Sequence, residues 1–232
     1  MNKKNWLLIL LACVVTFSTY SCKSSDDDEE EDEWFKVSAF DGDARGAAVS
    51  FLINNTAYVT TGVSTESNTS VRKRDTWAFS ASTGTWTRKT DFPGVARNYA
   101  VAFSVGNNGY VGAGFDGTNA LSDFYKYDTN TDTWTKIADL PGEARYGAVA
   151  FTIGNFGYVG TGSKGTTDNN VKTFYKYDPT ANTWTAVDSP LESNRKFGFS
   201  FVINNIAYVG GGIDNSSYPE DFFKFDGTNG LN

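Results

Sequence analysis

The chain has 232 residues, 40% of them apolar and 16% aromatic, which is enough to build a sizeable core, and its net charge is −7. Histidine is absent and cysteine occurs only at positions 13 and 22. These counts exclude a histidine-ligated zinc site and a Ser-His-Asp triad. With no basic stripe, nucleic-acid binding has no electrostatic support either.

Residues 1–21 read as an export signal. Lys3 and Lys4 precede an apolar run from Trp6 to Phe17, too short to span a bilayer, which needs about 20 apolar residues. The run ends in "STYSCKSS", which resembles a bacterial lipoprotein cleavage box, with Thr19 and Tyr20 departing from its usual leucine and small residue. That resemblance implies cleavage before Cys22 and a diacylglycerol on its sulfur, so that lipid chains hold the protein to a membrane. Residues 22–33 then form a tether: Asp26 to Glu33 is an unbroken run of eight acids, which repels itself and stays extended. "CKSSDDDEE" is similar to the acidic export signal of surface lipoproteins in Bacteroidetes-type bacteria, which implies a place on the outer face of the outer membrane. Residues 1–33 hold three lysines and eight acids, a net −5, leaving −2 for residues 34–232. The mature chain has no second cysteine, so an intramolecular disulfide is ruled out.

Residues 34–232 repeat themselves. "FYKYDTNTDTWT" at 124–135 returns almost unchanged as "FYKYDPTANTWT" at 174–185. Four registers start near residues 44, 96, 144 and 194, and their arginines (Arg45, Arg97, Arg145, Arg195) are 52, 48 and 50 residues apart. Each opens with an alternating apolar run such as "AVAFSV", turns at Asn-Asn or Gly-Asn, and returns as a second run such as "GYVGAG". Asn and Gly tolerate positive φ and suit a tight hairpin. A variable polar loop leads to a third strand ("DFYKYD"), and a fourth begins at Trp86, Trp134 or Trp184. A four-stranded unit repeating near every 50 residues predicts an all-β propeller, its sheets stacked about an axis to bury their faces.

The motifs resemble the kelch family. Gly211-Gly212 is its double glycine, of which Gly62, Gly114 and Gly162 keep the second member. Tyr127-Asp128 and Tyr177-Asp178 match its Tyr-Asp step, and Trp86, Trp134 and Trp184 its late tryptophan. The resemblance implies a galactose oxidase-like propeller of six or seven blades, of which four are represented here. Recurrence of the aromatics at fixed blade positions assigns most of them to packing between sheets.

The ends of the repeat are informative. Trp34 precedes Arg45 by the same 11 residues that separate Trp86 from Arg97, so the register predicts a lone fourth strand at Trp34. Residues 194–226 supply three strands and no fourth. The two ends could share a blade and close a four-blade ring, but an incomplete propeller is the favoured expectation. The tail also reads as a frameshift scar: loss of one T from AAC TGG ACT AAA C yields codons for the terminal Asn-Gly-Leu-Asn. A fragment without function of its own is one consequence.

Function is expected on one rim, where the arginines meet the variable loops at 63–74, 115–122, 163–172 and 213–220. Residues after each arginine approach the channel: Asn98, Tyr99, Tyr146, Lys196 and Phe197. A ring of Arg45, Arg97, Arg145 and Arg195 could hold a carboxylate or sulfate through forked hydrogen bonds. Identity across blades argues instead for clamping a loop carbonyl or an acid such as Asp43 or Glu143. Galactose oxidase chemistry needs histidines and a tyrosine–cysteine link, both missing. A sugar mutarotase or epimerase of the sialic acid type needs only an acid–base residue and clamps, but Glu66, Glu192 and Glu220 are scattered singly. "TTDNN" at 166–170 and "DNSS" at 214–217 lack calcium-ligand spacing and read as solvated loops. The sequence thus predicts a lipid-anchored, non-catalytic propeller without metal or cofactor, binding a protein or glycan partner.

Overall fold

The computed structural model describes residues 34–165 and 169–227 of the chain. The predicted signal and tether, the middle of the third loop and the tail from residue 228 lie outside the described residues. The chain divides into two units, Met1–Lys36 and Val37–Asn232. The second is all β, with no helix among its described residues.

Its described strands form four antiparallel blades and one separate two-stranded hairpin. The first blade holds β1 (Val49–Ile53), β2 (Thr56–Thr60), β5 (Thr76–Ser80) and β6 (Thr85–Lys89), with a hairpin of β3 (Val63–Glu66) and β4 (Thr69–Arg72) inserted. The second holds β7 (Val101–Val105), β8 (Asn108–Gly112), β9 (Phe124–Asp128) and β10 (Thr133–Lys136). The third holds β11 (Val149–Ile153), β12 (Phe156–Gly160), β13 (Phe174–Asp178) and β14 (Thr183–Val187). The fourth blade has three strands, β15 (Phe199–Ile203), β16 (Ile206–Gly210) and β17 (Phe222–Phe225). Strand order within each blade follows the chain, and the innermost strands meet in sequence: β1 with β7, β7 with β11, β11 with β15. Among the described residues β15 and β1 do not touch. This is the expected kelch-type propeller arrangement.

Turn chemistry explains the hairpins. Asn54-Asn55 and Asn204-Asn205 all have positive φ, between 48° and 62°, as a two-residue turn matched to strand twist requires. The variable loop after β2 contains one element the composition did not announce. Ser67 and Asn68 adopt the same turn, with φ 47° and 62°, and fold residues 63–72 into the β3–β4 hairpin. The double-glycine position is also explained. Its first member has φ of 54–62° in all four blades (Thr61, Ala113, Thr161, Gly211), a left-handed conformation that is strained for the two β-branched threonines. The second has φ of 93–102°, and a Cβ on Gly212 would come 2.6 Å from the Lys196 carbonyl. Only the second must be glycine.

The core lies between blades. Each blade turns one aromatic pair toward its successor: Phe51 and Tyr58, Phe103 and Tyr110, Phe151 and Tyr158, stacked at 4.9–5.2 Å. The next blade answers with Tyr127, Tyr177 or Phe225, 5.1–5.5 Å from the tyrosine ring. Opposite the phenylalanine stands Gly109 or Gly157, where a Cβ would fall 2.0–2.2 Å from the ring. Three such clusters bury most of the apolar side chains, each large one stabilising by about 1.5–3 kcal/mol. Outer tryptophans tie blades together: Trp134 Nε1 donates to the Thr90 carbonyl and Trp184 Nε1 to that of Ala138, both at 2.9 Å.

One expectation fails. Residues 34–40 form no strand, and Trp34 is 99% exposed. A strand exists only where another edge accepts its hydrogen bonds, and spacing to Arg45 does not supply that edge.

Candidate functional site

The four arginines are built inward. Arg97, Arg145 and Arg195 are fully buried, and the Arg45 side chain is 3% exposed. Each Nε donates to the carbonyl two residues back (Asp43, Val95, Glu143, Ser193). Three of them grip a carboxylate in forked fashion: Arg45 on Asp75 at 2.6 Å, Arg97 on Asp123 at 2.6 and 2.8 Å, and Arg195 on Asp221. Their Nη1 groups also donate to the carbonyl of the first double-glycine position, Thr61, Ala113 or Gly211. Burial alone would raise the Asp75 and Asp123 carboxyls. The hydrogen bonds and charge of the arginines outweigh it and hold both below their ordinary value. The arginines do hold loop carbonyls, and the acids in the forks are Asp75, Asp123 and Asp221 rather than Asp43 or Glu143. Their guanidinium groups are thus spent within the blades.

Arg145 differs. Thr173 stands where the others have aspartate, so Nη1 donates to the Thr161 and Thr173 carbonyls while Nη2 has no hydrogen-bond partner. Glu143 Oε2 lies 3.9 Å away.

The residues just past the arginines form the mouth of the channel. Ala47, Tyr99, Gly147 and Phe197 all have φ between 51° and 62°. They are linked in a row: Tyr99 N donates to the Ala47 carbonyl (3.0 Å), Gly147 N to Tyr99 (3.0 Å) and Phe197 N to Gly147 (2.7 Å). A left-handed backbone under a bulky aromatic is an outlier that costs energy. Here the missing side chain of Gly147 lets its neighbours meet across the third blade. A Cβ there would sit 2.6 Å from the Phe197 ring, and Tyr99 and Phe197 lie 4.9 Å apart, each 40% exposed. Tyr146 joins at 6.1 and 6.2 Å, and Lys196 Nζ stands 5.7–5.8 Å over Tyr146 and Phe197.

Of the residues predicted from sequence, Tyr99, Tyr146, Lys196 and Phe197 therefore come together, while Asn98 is buried and receives Arg72 Nε at 3.2 Å. Two residues were missed. Phe115 lies 5.2 Å from Tyr146, and Arg72 stands 5.5 Å over Phe115. Phe115 directly follows Gly114 and bridges to Asn98, so its place after the invariant turn was the available signal.

Below the mouth the innermost strands line a groove of about 460 Å³. Its wall carries Ser50, Leu52, Ser104, Thr152 and Ser200, and no charged residue. Thr152 Oγ1 and Ser200 Oγ are turned to the preceding blade's Ser104 and Ala150 carbonyls at 2.7 and 3.0 Å. Among the described residues no three His, Cys, Asp or Glu side chains gather as metal ligands.

A kelch-repeat domain profile, described for KLHDC2, KLHL20 and DRC7, matches residues 52–230. The chain belongs to the kelch-repeat family. Among solved structures, that titled "Structure of YjhT" superposes on this kelch chain with a TM-score of 0.73 at 17% identity, covering 86% of this chain and 73% of that one. The likeness is one of fold. No curated protein sequence matches the chain.

Proposed function

We propose that this kelch chain is a non-catalytic binding propeller, held by lipid on Cys22 at the outer face of a bacterial outer membrane, and that it grips a protein or glycan partner at the channel mouth. The observation that carries the reading is the contact of Tyr99 with Phe197, two half-exposed rings on left-handed backbone. Aromatic faces with a cation alongside suit the apolar face of a sugar ring or an aromatic or aliphatic side chain. The mutarotase alternative needs an acid–base group at the substrate, and the groove wall offers it none.

The test is a glycan array and a surface-proteome capture, run with the native chain and with Tyr99→Gly/Phe197→Gly. Glycine is the native residue at the equivalent position 147, so the backbone there accepts it, and a native thermal melt is the check that the double variant folds. A ligand held by the native chain and weakened about tenfold or more in the variant, the worth of one aromatic contact, supports the site. Undiminished binding by the variant refutes it. Anchoring is tested separately: palmitate labelling lost in Cys22→Ala supports the lipid, and unchanged labelling refutes it.

A further inference from the structure

We propose that the third blade binds a small carboxylate ion, seated on Arg145 where the sister blades seat an aspartate of their own. In those blades the arginine is one side of a preformed cradle. Asp75, Asp123 and Asp221 lie in it with their side chains 16%, 21% and 24% exposed, so the cradle opens to water. In the first two blades a second donor stands two residues after the acid. Trp77 Nε1 donates to Asp75 at 2.6 Å, and the Tyr125 hydroxyl supports the Asp123 carboxylate in the same way.

The third blade keeps the donors and drops the acid. Arg145 is fully buried, and its Nη2 has no hydrogen-bond partner. Tyr175 holds the place of Tyr125 in an identical strand, its ring 5.5 Å from the guanidinium carbon and its hydroxyl beside that group. Thr173, in the aspartate's position, is neutral and exposed, where Asp123 is half-buried. A Cβ on Gly142 would fall 2.5 Å from the Tyr175 hydroxyl and 3.8 Å from Nη2, so glycine there leaves room beside both donors.

Local charge points to the same ligand. Among the described residues, Arg145 and Lys164 share the carboxylate of Glu143, which lies 3.3 Å from Lys164 Nζ but 3.9 Å from Nη2. Glu143 thus hydrogen-bonds to the lysine and only approaches the arginine. The Lys164 and Glu143 side chains are 30% and 48% exposed, so this side of the cradle faces solvent. A buried guanidinium short of partners is costly. A carboxylate set between Nη2 and the Tyr175 hydroxyl would receive a hydrogen bond on each oxygen, one of them charge-assisted. A planar anion with two oxygens is also what the sister cradles hold, and what a guanidinium fork matches best.

Acetate is the probe. The purified full chain is melted in increasing sodium acetate, with sodium chloride keeping the ionic strength constant, and NMR line broadening of carbon-13 acetate reads binding directly. The expected result is a melting temperature that climbs with acetate, as binding to the folded state requires, together with a broadened acetate line. In Thr173→Asp the chain supplies its own carboxylate, as the second blade does. Acetate binding there is expected to weaken about tenfold or more while the fold is kept. Glu143→Gln removes a like charge beside the ion and is expected to bind acetate more tightly. No acetate effect on the native chain, an equal effect in Thr173→Asp, or no tightening in Glu143→Gln would each overturn the proposal.

Discussion

The second and third blades are near copies, yet they treat their buried arginine differently. Arg97 has a carboxylate fork on Asp123 and a carbonyl of its own strand turn. Arg145 keeps its carbonyls and loses the fork, with Thr173 in place of the acid. Burial pushes its guanidinium pKa down, countered only in part by Tyr175, whose ring lies 5.5 Å away, and by Glu143. The blade retains its architecture all the same. The arginine is therefore first a hub for backbone carbonyls, and the aspartate adds strength to it.

Removing the hub should cost the most stability. Arg97→Leu leaves Asp123 and two carbonyls without a donor, and breaking a buried pair in this way costs about 3–5 kcal/mol; urea unfolding reads the loss. A cost under about 1 kcal/mol would show that neither the fork nor the carbonyl contacts hold the blade together. Next, Thr173→Asp gives the third blade the missing fork, and a charged hydrogen bond of that kind contributes about 1.5–3 kcal/mol. The melting temperature is expected to rise in the native background and not in Arg145→Leu.

Acid sharpens the same contrast with a smaller effect. The Asp75 and Asp123 carboxyls are depressed in the folded chain. Their contribution is complete above the ordinary carboxyl pKa of about 3.9 and is lost as pH falls through the depressed values. Thermal melts should therefore be level near neutrality and decline below about pH 4, less steeply in Asp123→Asn. The smallest effect concerns the rim. Tyr99→Gly removes a strained side chain but loses ring contacts and adds chain entropy, so stability should move by no more than about 1 kcal/mol. A larger loss would mean that the ring is a packing residue rather than a presented one.

The repeat was legible because strands, tight turns and inter-blade aromatics are each decided by residues close in sequence. Starts near 44, 96, 144 and 194 lie a few residues before β1, β7, β11 and β15. The acids of the clamp were not legible. Asp123 and Asp221 lie 26 residues beyond their arginines and Asp75 lies 30 beyond, a reach set by how the intervening loop folds back. The mouth was half legible. Position after the arginine named Tyr99 and Phe197, but nothing in the types Tyr and Phe announces a left-handed backbone, a conformation that Asn or Gly would have signalled. Trp34 shows the opposite failure, in which a faithful register implied a strand without the neighbour it needs.

The row of peptide bonds through Ala47, Tyr99, Gly147 and Phe197 acts as a hem. Because each stitch is main chain to main chain, any side chain that tolerates the conformation can be set into it. Loops above can lengthen or shorten, and residues on the hem can change from methyl to ring, while the spacing of the opening stays fixed. The side chains presented at the opening can therefore change one blade at a time without retuning the sheets below.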